Sequence, residues 1–143
     1  MNRDYANTLI DNGFAPVIPG NPKIPELVNH KGRYFSLSSL PKMHGICKWC
    51  YENVTKTSRH LYCSTECNLS AEMFCYPQGI WSRRFLLQRQ GEKCNKCETD
   101  LKCKYSEIDH VIPIYKGGTA LGSENLQALC GECHTVKTKE DRK

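Results

Sequence analysis

Ten cysteines, eight of them paired at short spacings, constrain this chain more than any other feature. They stand at Cys47, Cys50, Cys63, Cys67, Cys75, Cys94, Cys97, Cys103, Cys130 and Cys133. Three pairs are C-x2-C (47/50, 94/97, 130/133) and one is C-x3-C (63/67). A two-residue gap lets a tight turn aim both sulfurs at one ion about 2.3 Å away, and two such pairs complete a tetrahedral four-thiolate site. Pairing neighbours assigns one structural zinc ion to Cys47, Cys50, Cys63 and Cys67, and a second to Cys94, Cys97, Cys130 and Cys133. Cys75 and Cys103 have no partner at ligand spacing and read as buried or idle thiols.

Metal rather than disulfide follows from the expected compartment. No apolar run approaches the ~20 residues of a membrane span, and Met1-Asn2-Arg3-Asp4-Tyr5 lacks the apolar core of a secretory signal. The expectation is a cytoplasmic protein, or a nuclear one in a eukaryote, with no membrane partner; thiols stay reduced there. A cross-link is needed in any case, because 143 residues with 39% hydrophobic content make a meagre core. The formal charge of +5 permits an anionic partner without naming one. Each four-thiolate zinc site would carry −2, so two of them bring the chain from +5 to +1, and basicity argues little.

The chain divides into three stretches. Residues 1–45 form a Pro-rich arm or hairpin without cysteine, holding five of the seven prolines (Pro16, Pro19, Pro22, Pro25 and Pro41). A short helix precedes Gly13, the Pro-rich segment is extended, and Leu27 to Phe35 reads as two short strands around a turn. Residues 46–91 hold the first zinc module, with helices expected over about Thr65 to Phe74 and Ile80 to Gln90. The second helix places Trp81, Phe85 and Leu86 on a buried stripe and leaves Arg83, Arg84 and Arg89 outside. Residues 92–143 contain the second zinc site; nine basic and nine acidic residues balance there, so the excess positive charge lies upstream. The fold class expected is a small α+β protein stapled by zinc.

Between the halves of the second site lies Ser106-Glu107-Ile108-Asp109-His110-Val111-Ile112-Pro113-Ile114, a run of β-formers interrupted by an acid and a histidine. A loop at Lys116-Gly117-Gly118-Thr119, a short strand at Asn125-Leu126-Gln127-Ala128-Leu129 and a helix from Cys130 onward complete the order strand, loop, strand, helix. Adjacent residues on a strand face opposite sides, and buried ionisable groups are costly unless paired or metal-bound. A twisted strand end that turns Asp109 and His110 toward one hollow reconciles these facts. His134 follows a zinc cysteine on the first helical turn, from which it can face that hollow. His30, His44 and His60 fit no pattern and read as surface or loop residues.

Asp109-His110, Pro113, Gly117-Gly118, Glu124-Asn125-Leu126, Leu129-Cys130, Cys133-His134 and Lys137-Thr138, preceded by Cys94-x2-Cys97, resemble the HNH endonuclease family in its zinc-containing form. The resemblance implies a ββα-metal core over about residues 92–140. Leu61-Tyr62-Cys63-Ser64-x2-Cys67, Phe74 and the Arg83/Arg84 helix are more loosely similar to the C-terminal nuclease region of vertebrate replication-fork annealing helicases.

The resemblance implies a phosphodiester hydrolase acting on DNA, double-stranded or branched, that leaves a 5′-phosphate and a 3′-hydroxyl. It makes His110 the general base and gives Asp109 and His134 one catalytic divalent metal: magnesium, manganese, nickel or zinc. With that ion, the formal charge returns to +3. For Asn125 it leaves two roles open, bracing the loop that follows the base or ligating metal. Lys137 either reaches a phosphate or is a solvated lysine, and Arg83, Arg84 and Arg89 are candidate nucleic-acid contacts. The compact size favours a phage or mobile-element nuclease. Two other readings are a zinc-ribbon nucleic-acid-binding module without catalysis, and an RNA-directed nuclease of the same fold.

Overall fold

A computed structural model describes residues 1–21, 37–55 and 61–143. The strand pair expected between Leu27 and Phe35, together with His30 and His60, lies outside the described residues. The regular elements are helices α1 (Arg3–Asp11), α2 (Thr65–Cys75) and α3 (Ile80–Arg89), strands β1 (Ser106–His110) and β2 (Leu126–Cys130), and helix α4 (Gly131–Asp141). Single 3-10 turns occupy Leu37–Ser39 and Ile114–Lys116. No helix among the described residues is long and apolar enough to cross a membrane.

Local chemistry sets the helix starts. The Asn2 side chain accepts hydrogen bonds from the Asp4 and Tyr5 amides at the head of α1, and the Ser64 hydroxyl accepts one from the Cys67 amide at the head of α2. Helix α2 then serves two clusters from opposite sides. Leu69 and Met73, four residues apart, join Ala6 and Ile10 of α1, Phe85 and Leu86 of α3, and Ile108, Leu126, Ala128 and Leu129 of the sheet. Cys67, Ala71 and Cys75 face Leu40, Cys47 and Trp49 in a second cluster. Residues on both sides of position 91 therefore share the main core, and the N-terminal helix belongs to it as well.

The extended segment after α1 is pinned to the first cysteine module. The Val17 amide donates to the Ser70 hydroxyl, the Trp49 indole N–H to the Val17 carbonyl and the Gly20 amide to the Trp49 carbonyl. A Cβ on Gly20 would stand 2.3 Å from the Cys50 carbonyl oxygen, so the approach requires glycine.

Strands β1 and β2 form an antiparallel pair in which Ser106 faces Cys130, Ile108 faces Ala128, Asp109 faces Gln127 and His110 faces Leu126. The three arginines of α3 lie off its buried stripe as expected, Arg89 exposed and the other two half-buried, and each makes a hydrogen bond. Arg83 donates to the Ser106 carbonyl and hydroxyl, Arg84 Nη2 donates to both carboxylate oxygens of Asp11, and Arg89 donates to the Leu126 carbonyl. Two of the three thus anchor α3 to the sheet. Replacing Arg83 by Met should cost about 1–3 kcal/mol, since it leaves the buried Ser106 groups unpaired. Arg84→Met, which breaks an exposed pair, should cost under about 1 kcal/mol; denaturant melts of both variants at equal metal content test the ordering.

Candidate functional site

The sequence pairing of the cysteines is reproduced in space. Within each tetrad (Cys47, Cys50, Cys63, Cys67 and Cys94, Cys97, Cys130, Cys133) the four sulfurs lie within 4.8 Å of one another. A tetrahedron with metal–sulfur bonds of about 2.3 Å has edges of about 3.8 Å. Cys50 and Cys63 are 3.5 Å apart, Cys63 and Cys67 3.5 Å, and Cys97 and Cys130 3.8 Å. These gaps fit a shared ion and far exceed a disulfide bond of about 2.0 Å; all ten cysteines are free thiols. The tetrads could hold metal ions on this geometry. Cys75 is buried, which pushes its thiol up to about 11, and Cys103 is exposed.

Both tetrads are built the same way. In the first knuckle the Cys47 amide donates to the Glu52 carbonyl and the Tyr51 amide to the Cys47 carbonyl; in the second the Cys94 amide donates to Thr99 and the Glu98 amide to Cys94. Tyr51 and Glu98 hold matching left-handed conformations, at φ 66° and 60°. A β-bridge closes each knuckle, Ile46 with Asn53 and Lys93 with Asp100. The remaining pair of cysteines then sits at a helix start, α2 in the first case and α4 in the second, where free amides and the helix dipole favour negative charge. Cys130 itself caps α4, its sulfur accepting from the Cys133 amide.

Burial pushes the Cys94 thiol up, but the amides of Cys97, Cys130 and Lys96 outweigh it and bring it down to about 6. Cys47 is likewise raised by burial, yet lowered overall to about 7 by the Cys50, Cys63 and Trp49 amides. Their neighbours go the other way. Burial lifts Cys50 to about 11, and hydrogen bonding to Cys130 and Cys97 lifts Cys133 to about 12. Hydrogen bonds from Thr99 lower Cys97 as well, while burial raises Cys67, so each tetrad mixes favoured and disfavoured thiolates and four of them together need a cation among them.

The sheet and α4 place the remaining candidates. Asp109 Oδ2 receives the Lys137 ammonium at 2.9 Å and the Gln127 amide at 3.5 Å, while Oδ1 has no hydrogen-bond partner among the described residues. Lys137 is 5% exposed and also pairs with Asp141, one turn further along α4. Solvation of this lysine, one of the two roles weighed from the sequence, is thereby corrected: burial alone would lower its pKa, but Asp141 and Asp109 outweigh that and hold it above its ordinary value. Gln127, 3% exposed, accepts from the Asn95 side chain and so ties Asp109 to the second knuckle.

His110 is half-buried, and its Nε2 is fully buried without a hydrogen-bond partner. His134 is half-buried one turn before Lys137 on α4. Strand β1 stays regularly paired through His110, and Asp109, His110 and His134 do not close into a third donor cluster within 4.8 Å.

Asn125 works on the loop after the histidine. Its Oδ1 accepts from the Ile112 amide at 2.9 Å and its Nδ2 donates to the Ile112 carbonyl at 2.7 Å, while its own carbonyl receives the Val111 amide. The side-chain amide replaces a strand partner, so β1 ends at His110 and the chain turns toward Pro113. Gly118 lies beneath this clamp; a Cβ there would meet the Ile112 oxygen at 1.8 Å and Asn125 Nδ2 at 2.6 Å.

Gln127 and Asp141 escaped the sequence reading. Gln127 faces Asp109 by register and was recoverable once the two strands were paired, and Asp141 was recoverable as the i,i+4 partner of Lys137 on α4. Gly118→Ala should release the Asn125 clamp and cost about 1–3 kcal/mol, with hydrogen exchange at the Ile112 amide rising while both tetrads keep their metal. Cys94→Ser should lose metal from the second tetrad and unfold the sheet, whereas Cys103→Ser should match wild type in metal analysis and far-ultraviolet dichroism.

Residues 92–140 match the HNH endonuclease family profile. A human protein described as DNA annealing helicase and endonuclease ZRANB3 is 24% identical over 116 residues, covering 81% of this chain and 10% of the relative. Its mouse counterpart is 22% identical over the same length. A probable HNH endonuclease of Lactococcus phage SK1 is 35% identical over 63 residues, 41% of this chain and 66% of the phage protein. The chain thus spans about a tenth of the annealing helicases it matches. No solved structure matches. The segment from residue 92 to residue 140 is an HNH endonuclease domain, folded around the second cysteine tetrad.

Proposed function

We propose that the protein is a metal-dependent DNA endonuclease with His110 as general base, and that each cysteine tetrad holds a structural zinc ion. The observation that supports this best is the Asn125 clamp on Ile112, which fixes the loop leaving His110 inside a segment matching the HNH family. A clamp of this kind sets the position of a base relative to a phosphate, and sub-ångström placement governs rate. On this reading the segment is a ββα-metal core, with β1, β2 and α4 as its three elements.

On this reading His110 Nε2, which has no hydrogen-bond partner among the described residues, takes the proton of an attacking water. Asp109 Oδ1 and a His134 ring nitrogen would hold one divalent cation; carboxylate oxygen with imidazole suits magnesium, manganese, nickel or zinc. Such an ion supplies neutralising charge at the phosphate and the leaving oxygen. Asn125 braces rather than ligates, since both ends of its amide are engaged by the backbone. Arg83, Arg84 and Arg89 hold the fold and are not the leading DNA contacts.

The test is cleavage of plasmid and of linear, nicked, branched and single-stranded DNA with magnesium or manganese. His110→Ala should lose about 10²–10⁴-fold in rate with unchanged zinc content, and Asn125→Ala should lose activity through a loosened loop. Equal behaviour of wild type and His110→Ala would instead favour a nucleic-acid-binding module without catalysis. A preference for branched substrate would align the protein with the annealing helicases, and cleavage of RNA alone would overturn the DNA assignment.

A further inference from the structure

Asp109, the carboxylate read above as a metal ligand, already has a cation against it. The Lys137 ammonium stands 2.9 Å from Asp109 Oδ2 and bridges to Asp141 Oδ2 from a side chain only 6% exposed. A surface lysine would be free to swing away. This one is enclosed between α4 and β1, and Gln127 holds the same Asp109 oxygen from the other side. The three charges are organised as carboxylate, ammonium, carboxylate, net −1.

We propose that Lys137 is the resident counter-cation of this site, competing with a divalent cation for Asp109 and keeping the carboxylate pair folded when no such cation is bound. The inference rests on the assignment of a divalent ion to Asp109. It makes Lys137 a positioning residue and not a phosphate contact. Two consequences follow from elementary electrostatics. A fixed positive charge beside the ligand repels an incoming cation, so the site binds metal less tightly than its donors alone would allow. In the cation-free protein the same charge offsets two carboxylates that would otherwise repel each other in a poorly solvated place, so its loss should destabilise that form.

The experiment uses the zinc-loaded full chain, without DNA, and follows manganese binding through the electron paramagnetic resonance signal of free Mn²⁺. Lys137→Met should bind manganese on the order of tenfold more tightly than wild type, melt at a lower temperature without manganese, and recover more of that loss when manganese is added. Lys137→Arg, which keeps the charge, should stay near wild type on both measures. Lys137→Gln, which keeps a hydrogen-bond donor for the carboxylates, provides the same comparison should the methionine variant not fold. Unchanged or weaker manganese binding in a folded, zinc-replete, charge-removing variant overturns the proposal. Asp109→Asn separates the two layers of inference. If it leaves manganese binding intact, the metal assignment itself fails and this proposal with it. If it abolishes binding while removal of the Lys137 charge changes nothing, only the role of Lys137 fails.

Discussion

Four sulfurs meeting within 4.8 Å, twice over, are the constraint on which the remainder of this structure rests. Thiolates so close repel one another, and the fold meets that cost in two ways before any ion enters. Knuckle amides converge on Cys47 and Cys94, and helix starts receive the second pair of each tetrad. The second tetrad joins residues 94 and 133, so β1, the loop after it and β2 are one long excursion tied at its base. Two strands of five residues would be marginal alone. Here they gain α4 on one side and the α1–α2–α3 core on the other.

The cysteine pairing was legible in the sequence because ligand spacing is a local property. Helices α1, α2 and α3 were legible for the same reason, ending within a residue or so of where periodicity and glycine placed them. The end of β1 was not. Val111 and Ile112 are good strand formers, yet the strand stops at His110 because the Asn125 side chain takes the hydrogen bonds a neighbouring strand would have supplied. Side-chain mimicry of a backbone partner depends on tertiary register, which propensity does not encode. The partners of the α3 arginines were not legible either. Helical periodicity places their Cα atoms off the apolar stripe, but a long side chain reaches past its own face to an open carbonyl on β1 or β2.

The adjacent Asp109 and His110 were the strongest chemical signal in the sequence, and strand alternation gives them different surroundings. Alternation sends Asp109 toward Gln127 and Lys137, while His110 continues the Ser106–Ile108 series at the strand end. Each is therefore controlled by a different neighbour. Asp109 is held through Gln127 and Asn95 by the second knuckle, and the backbone leaving His110 is held by Asn125. A single long excursion thus carries two separately anchored groups, which under the nuclease reading would be a proton acceptor and a charge stabiliser.

Electrostatics alters most between the sequence and the folded chain. A formal +5 invites the idea of a basic surface attracting DNA. Yet Arg83, Arg84 and Arg89 are bound to Ser106, Asp11 and Leu126, and Lys137 is enclosed by Asp109 and Asp141. Lys48 is buried as well, donating to the Leu37 carbonyl. Arg84 is balanced by Asp11 at the surface and Lys137 by its two carboxylates, whereas Arg83, Arg89 and Lys48 cap carbonyls and keep their charge. Under the nuclease reading, a cation on Asp109 and His134 would supply positive charge at the scissile phosphate, and Lys137 already stands against the same carboxylate.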